Sequence, residues 1–197
     1  YRTRVGLDTL QFQDGFNYTT VNTSVWGITT ATMTVTFPGG YMRLNGGNST
    51  TTANVARCQS FRYFPLYSSY PLYFEADIKL NTHQSNNVCE FGLFIATGTS
   101  TPTDGVGFRY NTLGDLVGFQ NNNGVELETA AITKPTAGTL VHYLIVIGEA
   151  RVEFWIDGVL VGTLNEPTSG SGFGIVNSLT LPCIFRNYNS GTPGQAV

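Results

Sequence analysis

An all-β fold is what this sequence predicts: antiparallel sheets packed face to face or closed on themselves, inferred from three observations. Short runs of alternating apolar and polar residues recur along the chain, turn-forming residues separate them at near-even spacing, and no window keeps a helical period for more than a turn or two. Many short strands joined by Gly-rich turns are the signature of a two-sheet sandwich or a barrel.

The most informative stretch is Leu140 to Leu164, LVHYLIVIGEARVEFWIDGVLVGTL, which reads as three strands and two turns. Asp157-Gly158 sits between RVEFWI and VLVGTL, and Asp-Gly tolerates the positive φ angles of a two-residue type I′ hairpin turn. That turn sets the register. Val152, Phe154 and Ile156 then face one side, and Arg151, Glu153 and Trp155 the other. Upstream, Met33 to Phe37 alternates, Pro38-Gly39-Gly40 turns, and Tyr41 to Leu44 returns before Asn45-Gly46-Gly47-Asn48, which predicts a hairpin. Leu72 to Leu80 places Leu72, Phe74, Ala76, Ile78 and Leu80 on one face and Tyr73, Glu75, Asp77 and Lys79 on the other. Glu90 to Ala96, Val106 to Tyr110 and Leu116 to Gln120 are expected to form a meander, with a turn at Asn121 to Gly124, and Leu181 to Arg186 a last strand. The expected core includes Phe74, Ile78, Leu93, Phe154 and Ile156, with Glu75, Lys79 and Glu153 left outside it.

With 197 residues, a chain buries about 70% of its unfolded surface, enough for one sandwich without staples. We therefore expect one domain over residues 12–189, an N-terminal arm over 1–11 and a flexible C-terminal tail over 190–197. Charged residues make up 12% of the chain, Gly accounts for 23 positions, and the net charge is -3. A β-protein suits that composition, and it carries no electrostatic footprint for nucleic acid. No segment approaches the roughly 18 apolar residues of a membrane span. Cys58, Cys89 and Cys183 are far apart and form no CxxC pair, so they read as buried thiols and not as a zinc site or a disulfide framework.

Phe12-Gln13-Asp14-Gly15-Phe16-Asn17 followed by Val21-Asn22-Thr23-Ser24-Val25-Trp26 resembles the opening of concanavalin A-like sandwiches, which include family 16 glycoside hydrolases and laminin G-like domains. Phe74 to Leu80, FEADIKL, is similar to a strand of the same family, and His142 to Val161 resembles its hairpin. The three matches come in family order. The resemblance implies a concanavalin A-like, two-sheet antiparallel jelly-roll sandwich, a fold that hosts lectins, hydrolases and structural modules alike.

Retaining hydrolysis needs two carboxylates about 5 Å apart, and the resemblance implies that family 16 enzymes supply them as E-x-D-x-E or E-x-D-x-x-E on a strand after the FEADIKL-like one. Here Val88 to Phe119 holds only Glu90, Asp104 and Asp115, none two residues from another, and the sole E-x-D is Glu75-Ala76-Asp77 on the earlier strand. We therefore expect no catalytic residues and no enzyme. His83 and His142 lack a neighbouring His, Cys or carboxylate at ligand spacing. Neither a nucleophile elbow nor a phosphate loop is present. No cofactor or metal is expected.

Sugar rings are commonly held by an aromatic plate flanked by carboxylates and amides. The ligand face expected on that pattern is Tyr73, Glu75, Asp77, Arg151 and Trp155, with Lys79 and Glu153 beside them. Phe61 to Pro71 packs aromatics and prolines densely, which marks Tyr63, Phe64, Tyr67 and Tyr70 as protein-interface candidates. The ends of the chain, Arg4 to Leu10 and Arg186 to Gly191, and its Thr- and Asn-rich texture resemble tailed-bacteriophage head decoration or fibre proteins. That resemblance implies a non-enzymatic virion structural protein with capsid partners, assembling as a homo-oligomer. The second reading is an extracellular carbohydrate-binding or receptor-binding module whose partner is a glycan.

Overall fold

The computed structural model describes residues 12–46, 51–66, 70–81, 83, 85–165 and 175–190. The strands are β1 Trp26–Ala31, β2 Thr34–Thr36, β3 Arg43–Asn45, β4 Val55–Pro65, β5 Leu72–Lys79, β6 Asn87–Ile95 and β7 Asp104–Tyr110. Then follow β8 Leu116–Asn122, β9 Val125–Glu128, β10 Leu140–Ile147, β11 Arg151–Ile156, β12 Val159–Asn165 and β13 Thr180–Asn189. They form a seven-stranded sheet in the order β1-β4-β13-β6-β7-β8-β9, a four-stranded sheet β12-β11-β10-β5 and the small hairpin β2-β3. Their ladders are antiparallel throughout. The two larger sheets bury their facing sides against each other.

Turn chemistry explains the hairpins. Asp157 and Gly158 both hold positive φ, 48° and 79°, so the Asp-Gly pair joins β11 to β12 as the sequence predicts. Asn123 and Gly124 do the same at 50° and 83°. The sequence puts all of Asn121 to Gly124 in a turn, but β8 continues through Asn122 and only two residues turn the chain into β9. Asn121 helps by accepting the Gly124 N–H on Oδ1 at 2.9 Å.

The core is aromatic and aliphatic. Phe74, Leu93, Phe154 and Ile156 are buried as expected, while Ile78 is half-buried at its margin. Glu75 and Lys79 are exposed and Glu153 is half-buried. Phe154 packs edge-on to Phe108 at 5.2 Å, and the room for its ring comes from Gly118. A Cβ on that residue would stand 2.7 Å from three ring carbons. Near the start of the described chain, Asp14 explains the F-x-D-x-F…W pattern. Its carboxylate accepts Trp26 Nε1–H at 2.6 Å, Tyr18 O–H at 2.8 Å and the Phe16 N–H at 2.7 Å. Phe12 and Phe16 close on the buried Trp26 ring, so one carboxylate fixes an aromatic plug at the sheet edge.

β4 is the element the sequence hides. Its eleven residues pair with β1 on one side and β13 on the other. The aromatic cluster that marked interface candidates is in part the end of this strand. Phe64 is buried in the core opposite Leu181, so it is not an interface residue; alternation turns it inward. Tyr63 and Tyr70 are exposed, and Tyr67 lies outside the described residues. Cys58 and Cys183 are buried free thiols, whereas Cys89 is half-buried. Burial pushes the Cys58 thiol up to about 12.

Candidate functional site

The structure gathers the sequence-predicted ligand residues on one surface, the outer face of the four-stranded sheet. Residues directly opposite in an antiparallel ladder share a face. One such row runs Glu75, Leu144, Trp155, Leu160, and the next runs Tyr73, Val146, Glu153, Thr163. Asp77 stands opposite His142, and Lys79 opposite Leu140. Strands lie ~4.8 Å apart, so Glu75 and Trp155, two strands apart, are ~10 Å from each other across Leu144.

Trp155 is half-buried. Its indole N–H donates to Glu153 Oε2 at 3.2 Å, and Arg151 forms an ion pair with Glu153. The ring is therefore held in place by its own strand. Glu75 and Asp77 are exposed, Asp77 Oδ1 meets His142 Nδ1 at 2.8 Å, and Asp157 Oδ1 accepts the His142 backbone N–H at 2.9 Å. Sequence reasoning missed His142, Leu144 and Leu160, because the pairing that adds them to the face depends on register between strands.

The outer face of the seven-stranded sheet is built quite differently. Arg57, Arg186, Glu90, Arg109 and Val117 stand opposite one another in sequence across β4, β13, β6, β7 and β8. Glu90 is fully buried and both of its oxygens are engaged: Oε1 accepts Arg109 Nε–H at 2.6 Å and Oε2 accepts Arg186 Nε–H at 2.5 Å. Arg109 also binds Glu126 and Glu128 of the edge strand β9, each at 2.7 Å. Arg186 donates to the Gly98 and Ser100 carbonyls. Burial opposes the Arg109 charge, but hydrogen bonding and attraction to Glu126 and Glu90 prevail and raise its pKa. Arg57 has the reverse balance: burial and the neighbouring Arg186 lower it.

Aromatic rings seal the rest of this face. Arg109 lies over Phe119 at 4.5 Å, Arg186 over Tyr188 at 4.6 Å, and Phe94 packs edge-on to Phe119. Gly92, Gly105 and Gly107 make the room, since a Cβ at any of them would come within 2.6 Å of a neighbouring atom. Along β7 the outward positions are thus Gly105, Gly107 and Arg109. No carboxylate stands on that strand's outer side, and the one beside it, Glu90, is locked between two guanidinium groups.

No family profile and no curated protein matches the sequence. The shape does find partners. A β-glucanase of Bacillus licheniformis superposes with a TM-score of 0.64 over 92% of this chain and 90% of its own, at 16% identity. An endo-1,3-β-glucanase of Streptomyces sioyaensis gives 0.67 over 95% and 92%, at 13% identity. The fold is the concanavalin A-like jelly roll. A carbohydrate-binding module of Bacillus subtilis shares it as well, with a TM-score of 0.52 over 87% and 92% and 14% identity. These jelly-roll neighbours overturn the expectation of a virion structural protein with capsid partners. That expectation rested on the chain's ends and texture, and residues 1–11 and 191–197 lie outside the described residues.

Proposed function

We propose that this chain is a non-catalytic carbohydrate-binding module, its folding unit the sandwich over residues 12–189, and that its glycan surface is the outer face of the four-stranded sheet. The observation that carries the reading is Trp155: a half-exposed indole, oriented by Glu153, level with the exposed carboxylate of Glu75 and flanked by Leu144 and Leu160. An aromatic plate stacks on the C–H face of a sugar ring, and carboxylates at its rim accept the ring hydroxyls. Glu75 and Asp77 are the acceptors, and Tyr73 extends the face on the next row. The neighbours named as glucanases and as a carbohydrate-binding module support a polysaccharide partner, which favours an extracellular setting over a particle.

The non-catalytic half of the proposal is supported by the outer face of the larger sheet. Retaining hydrolysis needs a nucleophile and an acid/base about 5 Å apart on the reaction side. Glu90 has neither a free oxygen nor a carboxylate two positions away on its strand. The test is a glycan array followed by calorimetry. Wild type is expected to bind a polysaccharide without releasing reducing ends, and Trp155→Ala to lose at least about tenfold in affinity with an unchanged circular dichroism spectrum. Turnover of a β-glucan, or full affinity in Trp155→Ala, would overturn it.

A further inference from the structure

A cavity of about 220 Å³ lies at one end of the sandwich, away from both outer faces. Ile78 near the end of β5, Leu80 just past it and Val141 from β10 form its apolar wall. Tyr110 and Tyr143 meet in it, their hydroxyls 3.0 Å apart. Pro135, Thr136, Ala137 and Thr139 add to the lining, and His83 and Lys134 bring nitrogen atoms to it. The two converge on one spot: His83 Nδ1 and Lys134 Nζ lie 3.5 and 3.8 Å from the point where a Cβ on Gly114 would stand.

His83 Nε2 is buried and makes no close hydrogen bond among the described residues. Its ring tilts over Tyr110 at 5.6 Å. Burial holds the imidazole below its ordinary pKa; backbone hydrogen bonding at Asn87 and Tyr110 opposes the shift, and the Lys134 charge adds to it. A neutral imidazole has one nitrogen that accepts and one that donates. The lining contains no carboxylate, and among the described residues Lys134 forms no ion pair. The pocket therefore has one positive charge with no carboxylate in its lining, an imidazole ring, a pair of phenol hydroxyls, two threonines and a hydrocarbon wall. Its volume falls below the roughly 300–1,000 Å³ of drug-sized sites, which restricts the occupant to a small molecule.

We infer that this cavity binds a small carboxylate-bearing ligand, no larger than a single sugar-acid ring. The carboxylate meets Lys134, a hydroxyl or the carboxyl edge meets the edge of the His83 ring and the phenol pair, and the ligand's C–H surface lies on Ile78, Leu80 and Val141. Such a group comes either from a uronic-acid unit of a glycan or from a free small organic acid. The inference stands apart from the Trp155 face, since no residue is shared between them.

The test follows the His83 imidazole by NMR while the full chain is titrated with sodium glucuronate, glucose or sodium butyrate, in wild type, Lys134→Met and Trp155→Ala. Glucuronate is expected to shift the His83 resonances and to bind at least about tenfold more tightly than glucose. Lys134 is exposed, so Lys134→Met should fold normally and lose that preference, while Trp155→Ala keeps it. Butyrate acting as well as glucuronate identifies a free acid as the source, and a silent butyrate identifies a uronic acid. Equal affinity for glucose and glucuronate, no response at His83 to either acid, or a preference that survives Lys134→Met would each overturn the inference. Full glycan affinity in Trp155→Ala would count against the proposed function alone.

Discussion

Glu90→Gln is the substitution that probes most sharply how the larger sheet is held together. The exchange keeps the shape of the side chain and removes its charge. In the native protein Glu90 and Arg186 are fully buried, and each Glu90 oxygen accepts one guanidinium N–H. A glutamine amide offers one oxygen, and its NH₂ must face a second donor, so a bond is lost and donor meets donor. Arg109 keeps Glu126 and Glu128, whereas Glu90 is the only carboxylate paired with Arg186 among the described residues. The penalty therefore concentrates on Arg186. Removing one partner of a buried ion pair costs about 3–5 kcal/mol, a large share of the roughly 5–15 kcal/mol available to a domain. At about 2–4 °C per kcal/mol for a chain of this size, the melting temperature should fall by roughly 6–20 °C. Urea unfolding of wild type and variant, with the slope checked for constancy, measures the difference. Glu128→Gln is the control: its side chain is 37% exposed, and its loss should cost no more than about 1 kcal/mol. A change below about 1 kcal/mol for Glu90→Gln, or equal changes for the two, would refute the argument.

Four further expectations follow from the same geometry. Gly118→Ala drives a methyl into the Phe154 ring and should destabilise by about 1–3 kcal/mol; combining it with Phe154→Leu should give a sub-additive loss in a double-mutant cycle. Phe154→Ala alone should cost about 3–5 kcal/mol in urea unfolding. Because burial holds His83 below its ordinary pKa, the unfolded chain takes up the proton first. Stability is then expected to decline as pH falls through about 6.5, with little contribution from this group above it, and His83→Gln should flatten that slope in urea midpoints measured between pH 7.5 and 5.5. Cys58, buried and shifted up to about 12, should ignore a thiol-specific disulfide reagent at pH 8 until urea unfolds the chain.

How much of this was legible in the sequence depends on which contacts are local. The β10-β11-β12 meander was readable because Asp157-Gly158 has the backbone chemistry of its turn and because β11 has one dry and one half-wet face. β5 was readable for the same reason, and with both in hand the Trp155 face could be assembled residue by residue. β4 was not. Its outer side bears Arg57 and Gln59 over a half-buried surface, and its register with β13 slips between Pro182 and Ile184, so no clean period of two marks it. β7 and β8 are buried on both sides, so they lack alternation, yet the turns around them still placed Val106 to Tyr110 and Leu116 to Gln120 as strands of one meander. The Glu90 ladder was invisible for a deeper reason: its partners are 19 and 96 residues away, and only the pairing of three strands aligns them. His83 was visible as a lone histidine, but the cavity that gives it meaning is made by four separate segments.

The strand order has a consequence for how the protein is made. β13 comes after every other described strand in sequence, yet it lies in the interior of the larger sheet, between β4 and β6. Until residues 180–189 have emerged and inserted, β4 and β6 each present a row of unpaired N–H and C=O groups, and the buried half of the ion ladder lacks Arg186. The nascent chain thus carries two sticky open edges from the completion of β6 until β13 arrives. Insertion must close loops of about 90 to 130 residues, which places this protein among slow folders. Any lesion that delays the last strand should show itself first as aggregation during synthesis, with the finished molecule no less stable than before.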